Sequence, residues 1–445
     1  MTGLEDVRGN CLTGANDAAL AAYTEGLARF SLFAGDPIAS AEATTEAAPG
    51  FVMGHVLRAW LFLLSTEAPA RIPAQQSWVA AGPLPMTTQE AGHVRAIGHL
   101  LEGRWHRAAH VLEDVAIAHP RDLLALQVGH QLDFFTGHSR MLRDRIARAL
   151  PYWSPDLPGR HAVLGMLAFG LEEMGDYVAA ETSGREAIGL ERRDAWARHA
   201  VAHVMEMQGR TSDGIAWMRG DIPAWTEDNF FAVHNWWHLA LYHLELGEID
   251  EVLRLFDGPI HGARSKVMLD MIDAAALLWR LHLRGVDVGE RWQTVADCFA
   301  PSAGAGNYAF NDLHAMIAFI GAGRRDLAEE VLATQHAAMA RTDDNADFTR
   351  DVGHPAARAV QAFGEGKYDE VVSLLRPIRS IAHRFGGSHA QRDVLDLTLI
   401  EAAFQAGQHD LARALTAERV AAKPESPLAN LFAKRAARAE TRDVH

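Results

Sequence analysis

One residue, glycine, recurs along this chain at a spacing that few folds can use. Gly103, Gly137, Gly175, Gly209, Gly247, Gly285, Gly323, Gly366 and Gly407 each follow one helical pattern and precede another, at separations of 34, 38, 34, 38, 38, 38, 43 and 41 residues. Glycine suits the left-handed residue just past a helix, because it carries no Cβ to clash there. A helix, a tight turn and a second helix therefore repeat along the chain. Nothing alternates with period two over a useful length, so no sheet is expected.

The small residues keep the same register. Seven before the glycine stand Ala96, Ala168, Ala202, Ala240 and Ala359, and five after it stand Ala108, Ala180, Ala328 and Ala412. These are positions at which two helices must approach closely. Helix-turn-helix units of about 34 residues are the period of tetratricopeptide repeats, here with frequent insertions. The fold expected is all-α, an α-solenoid forming a right-handed superhelix of degenerate tetratricopeptide-like repeats. The clearest units are LLEGRWHRAAHVLEDVAIAHP, closed by Pro120, and LEEMGDYVAAETSGREAIGL.

Outside this register the chain is less regular. Residues 17–33 and 51–65 read as helices, and the proline-containing stretch 66–86 as a loop. Three interruptions, 151–159, 220–228 and 341–351, read as loop insertions at one edge of the array. Residues 426–440 should form a capping helix, with 441–445 frayed. The organisation expected is an N-terminal helical cap with an irregular loop over 1–87, a repeat superhelix over 88–425, and a capping helix and tail over 426–445.

Charge narrows the function. Lys and Arg number 42 against 57 Asp and Glu, a formal net charge of −15, and no basic block stands out. Nucleic acid and anionic membrane are excluded as expected partners. The two cysteines, Cys11 and Cys298, offer no disulfide framework and fit a reducing compartment. The start MTGLEDVRGN has acids where a signal peptide needs a basic start and an apolar run. The apolar stretch 59–64 falls far short of the roughly 20 residues a spanning helix needs, so a cytoplasmic protein is expected.

The richest concentration of chemistry lies in RDAWARHAVAHVMEMQGR and FAVHNWWHLALYHLELG, which hold His199, His203, His234, His238 and His243. In such repeats the first helix of each pair lines the concave groove, at about thirteen, ten, six and three residues before the turn glycine. Counting back from Gly209 gives Trp196, His199, His203 and Glu206 on one face. Counting back from Gly247 gives His234 and Trp237, with His238 between the groove and the helix contact and His243 pointing away. Gly285 adds Trp279 and His282, while Asp312 and His314 flank the groove positions counted from Gly323. In GGSHAQRDV, Ser388 and Gln391 read as a capping box, and His389, Arg392 and Asp393 either belong to that helix start or project into the superhelix.

Aromatic walls with a few convergent polar groups make a ligand pocket. His199, His203, Glu206 and His234 are the catalytic candidates, as acid–base groups or metal ligands. Two histidines four apart, here His199 and His203, can share a divalent metal such as zinc. The order H-x-x-x-H-x-x-E is not the H-E-x-x-H of metalloproteases. Packing of these side chains inside a helical core stays open beside both readings. No nucleophile elbow, P-loop or dinucleotide fingerprint is present.

The strings HAVAHVMEMQGR from His199, HNWWHLALYHLELG from His234, NDLHA from Asn311 and GSHAQRDV from Gly387 resemble the tetratricopeptide repeat protein 38-like family over most of the chain. The resemblance implies an all-helical superhelix of degenerate repeats in a single cytoplasmic chain and supplies no mechanism. Two function classes follow. One is a groove that binds a small molecule or peptide, although four lysines equip it poorly to clamp an acidic peptide tail. The other is a metal-dependent or acid–base hydrolase or lyase with its site inside the superhelix.

Overall fold

The computed structural model describes residues 4–443, and side chains as far as residue 438. The fold is all-α, from the helix Asp17–Leu32 to the helix Pro427–Asp443. Each of the nine register glycines lies just past a helix with φ between 68° and 81°. The nine alanines of the same register are at most 1% exposed. At each of these places the backbone turns through a conformation that a side chain would strain, and the flanking helices close over a methyl group. No helix among the described residues is long and apolar enough to cross a membrane.

The chain forms two compact units. One takes the residues up to Val201 together with Asp221–Ala232, and the other takes Ala202–Gly220 together with everything from Val233 on. The division falls inside the helix Ala195–Met207. Within each unit, helices pack chiefly on their neighbours in sequence.

In the first unit, Thr87 and Glu90 make the capping box of the helix Thr88–Leu101, and Glu90 also accepts from the backbone N–H and hydroxyl of Thr13 at 2.8 and 2.7 Å. One carboxylate thus closes a helix end and ties down the N-terminal segment. Deeper in, Arg145 and Asp133 form a two-bond ion pair at 2.7 and 3.1 Å, with side chains 1% and 2% exposed.

The second unit carries a contact that neighbour packing alone would not make: the helix Met268–Leu283 lies against the helix His389–Gln405. The Trp279 indole N–H donates to the Thr398 hydroxyl at 2.9 Å, and Arg280 donates to the Ala390 carbonyl at 2.6 Å. Ser388 and Gln391 form the capping box expected of them.

Several expectations are corrected. Residues 66–86 are not a loop, since they hold a 3-10 turn, Ala68–Ala70, and the helix Arg71–Ala81. Pro73 falls in the first turn of that helix, where no backbone N–H is required, and Pro83 and Pro85 lie beyond its end. The insertion 220–228 contains the helix Ile222–Thr226, and 341–351 contains Asp344–Phe348 and the start of a π-turn, Thr349–Gly353. The final helix continues through 441–443, while residues 444 and 445 of the tail expected to fray lie outside the described residues. Near the start, Leu4–Glu5 pairs antiparallel with Cys11–Leu12, a ribbon too short to show as alternation. The Asp6 carboxylate closes its turn by accepting from the N–H groups of Arg8 and Asn10, both at 2.9 Å.

Tight approach at the alanine positions can be measured. Ala202 is fully buried, and its carbonyl accepts the Tyr242 hydroxyl. The Tyr242 ring fits because residue 214 is glycine: a Cβ there would stand 2.2 Å from it. Ala202→Leu should cost about 1–3 kcal/mol by overpacking, read as a lower midpoint in urea. An unchanged midpoint would show that the contact has room to spare.

Candidate functional site

Two helices carry the site, Ala195–Met207 and Ala232–Leu246. Each has histidines four residues apart, so each presents two imidazoles on one face. In the second unit the His203 and His238 rings meet with centroids 4.4 Å apart. His234 and His238 approach with their Nε2 atoms 3.3 Å apart. His203, His234 and His238 can each direct a ring nitrogen to one region, while His199 belongs to the first unit, where its ring stacks on Phe169 at 5.5 Å. The candidate ligand atoms of these three lie within 4.8 Å of one another, and all three residues are buried.

Carboxylates behind the rings determine which nitrogens face inward. Asp273, fully buried on the helix Met268–Leu283, takes Nδ1 of His234 at 2.9 Å. Glu206 stands 3.5 Å from Nδ1 of His238. A proton on Nδ1 of His234, facing Asp273, turns the Nε2 lone pair of that ring toward Nε2 of His238 at 3.3 Å. Such an arrangement calls for a shared proton or a cation between them. Two nitrogens bound to one zinc at 2.0–2.1 Å in a tetrahedral site stand about 3.3 Å apart, and a carboxylate behind a ligating imidazole is the usual outer partner. Burial, with the neighbouring imidazoles adding to it, holds His203 and His238 well below the ordinary histidine value. Both are therefore neutral near pH 7, the form that binds a metal.

The remaining sequence candidates divide. His389 belongs to the surroundings of His203, whose charged form it disfavours. Trp237 is fully buried, with its ring stacked on His234 at 5.4 Å and the Arg280 guanidinium over it at 5.4 Å. Trp196 stacks on Phe33 and meets Phe169 and Phe231 in an aromatic cluster of the first unit. Trp279 packs against Phe363, and His282 is exposed. His314 gives its Nδ1 to the Phe310 carbonyl, and burial pushes it down to about 4. Arg392 donates to the Gly387 carbonyl, and Asp393 accepts two bonds from Arg419 at 2.6 and 2.9 Å. His243 is buried against Glu248. None of Trp279, His282, Asp312, His314, Arg392 and Asp393 is in the convergent group.

Glycine counting misses Asp273, because it stands twelve residues before Gly285, outside the groove offsets. Its signal is the second of two acids in the apolar string MLDMIDAAALLW, which burial makes expensive unless it is paired. Also missed is a cavity of about 60 Å³ bordered by Glu206, Tyr242, Arg280, Arg284, Arg419 and Lys423 among others. Glu206, 3.6 Å from Lys423, connects this space to His238.

Asp312 provides a test that is independent of the histidines. Its Oδ2 is buried without a hydrogen-bond partner, and burial, opposed only by Arg341, raises its carboxyl to about 7. A carboxyl whose value is raised on folding favours the folded state at low pH and loses that advantage as pH climbs from about 4 to 7. Relative to wild type, Asp312→Asn should therefore gain stability across that window, reaching on the order of 4 kcal/mol at 1.36 kcal/mol per pH unit. Urea titrations at pH 4, 5.5 and 7.5 measure it, and a difference independent of pH would refute the assignment. No protein-family model matches the chain.

Proposed function

We propose that this chain is a tetratricopeptide-like helical repeat protein, of the tetratricopeptide repeat protein 38-like kind, that binds a small molecule beside a divalent metal held by His203, His234 and His238, and acts on it there. The observation that carries the reading is the 3.3 Å approach of two imidazole Nε2 atoms, each ring backed by a carboxylate. Supporting the repeat assignment are nine positive-φ glycines with nine buried alanines in one register. The small cavity beside Glu206 favours a small molecule over a peptide. An all-imidazole set suits zinc, copper, iron or nickel. A four-coordinate ion on three rings keeps one position open for water or substrate, as hydrolytic or lyase chemistry needs. Free Cys11 and Cys298 suit work in the cytoplasm.

A metal-free proton shuttle is the second reading, favoured by the place of Glu206 between His238 and the cavity. Paired imidazoles and a carboxylate can pass protons near neutral pH.

Metal content separates the two. Purified protein, stripped and reloaded, should retain about one ion per chain, and His203→Ala or His234→Ala should abolish retention. Asp273→Asn should weaken affinity by about 10–100-fold with the fold intact, read by chelator competition and circular dichroism. Wild-type protein that holds none of zinc, cobalt, iron, nickel or copper after reloading would eliminate the metal reading.

A further inference from the structure

The cavity beside Glu206 has as many cations as acids in its walls, but they are unequally paired. Four cationic side chains line it, Arg280, Arg284, Arg419 and Lys423, facing Glu206, Glu245, Asp393 and Glu401. The acids are engaged. Asp393 is bound by Arg419, Glu401 by Arg435 from outside the lining, and Glu206 stands by Lys423. Glu245 accepts from the Ser426 hydroxyl and the Leu428 N–H.

Arg280 and Arg284 are left with backbone carbonyls only. Arg280, 4% exposed, donates to Ala276 at 3.0 Å and Ala390 at 2.6 Å. Arg284 donates to Leu244 at 2.6 Å, and its other terminal nitrogen is buried with no acceptor, as is Nε of Arg419. Among the described residues no carboxylate is within ion-pair distance of either Arg280 or Arg284. Guanidinium stays charged at any working pH, and the carboxylates that act on these two, Asp393, Glu206 and Asp273 on Arg280 and Glu245 on Arg284, do so from beyond ion-pair distance. Two cations without a direct carboxylate partner border one water-sized opening, a setting that suits an anion.

We infer that this cavity is the recognition half of the site: Arg280 and Arg284, with Nε of Arg419, bind the carboxylate or phosphoryl group of a small acid whose remainder extends toward Glu206 and the histidines. About 60 Å³ accommodates several waters or one such oxyanion, and the planar guanidinium fork matches either group through paired N–H bonds. The inference rests on the histidine group as the reacting end, and it narrows the substrate to small acids. Arg280 joins the two halves, because it borders the cavity and also covers the Trp237 ring, which stacks on His234.

The test is calorimetric titration of the metal-loaded full chain with inorganic phosphate and, separately, with succinate, at constant ionic strength set by sodium chloride. Saturable one-to-one binding of at least one is expected, and the better of the two tells a phosphate ester from a carboxylic acid as the natural ligand. Arg284→Gln should weaken binding by about tenfold or more while circular dichroism and the metal content stay as in wild type. Arg284→Lys, which keeps the charge but loses the fork, should also bind more weakly, and it serves if the glutamine variant fails to fold. No saturable heat with either anion, or binding untouched by both Arg284 variants, overturns the inference. Metal content measured on the same samples keeps the two ideas apart. Metal without anion binding defeats this inference alone, and anion binding without metal defeats only the metal reading.

Discussion

The close approach of helices over alanine is the constraint on which the rest of the structure depends. A methyl group at positions such as Ala202 and Ala240 lets backbones come near enough for side chains on adjoining faces to share one region, and both residues are fully buried. Tyr242 shows how little room is spared: its ring lies over Gly214 and its hydroxyl ends on the Ala202 carbonyl. With larger residues in the register, the helices bearing His203 and His238 would stand apart, and the 4.4 Å contact of their rings would be lost.

Bringing imidazoles together in a dry interior has its own cost, and the structure meets it with carboxylates. Asp273 orients His234, and Glu206 stands behind His238, so the helix Met268–Leu283 and the last turn of the first histidine helix both serve the same cluster. In the first unit His93 is handled alike, with Asp122 at 2.9 Å and the Trp60 indole N–H donating to its other nitrogen. The difference is informative. Both ring nitrogens of His93 are spent on protein partners, as in a core residue, whereas the Nε2 atoms of His234 and His238 face each other.

Much of this was legible beforehand. The turn glycines, the alanine positions and the Ser388 capping box depend on local backbone geometry, which a few neighbouring residues decide. Histidine pairs at i and i+4 announce themselves because helical spacing puts them on one face. Proline misled at 66–86, since its effect depends on whether it falls inside a first turn, and the ends of the helix Arg71–Ala81 are hard to locate from composition. The counting that locates His203 also places Trp196 and Trp279 in the groove. Trp196 lies among aromatic rings with His199 5.0 Å away, and Trp279 donates to Thr398.

From the sequence alone come the helical class, the repeat register and the histidines on two helix faces, because each follows from periodicities within about forty residues. Tertiary structure alone decided that Asp273 backs His234 and that Arg280 and Arg284 share a cavity with Glu206. Those residues lie 39 positions and more from their partners, on helices whose faces are paired by packing across the second unit. Side chains so far apart in the chain meet only once the helices between them have folded, and no local spacing encodes which buried charge will find which neighbour.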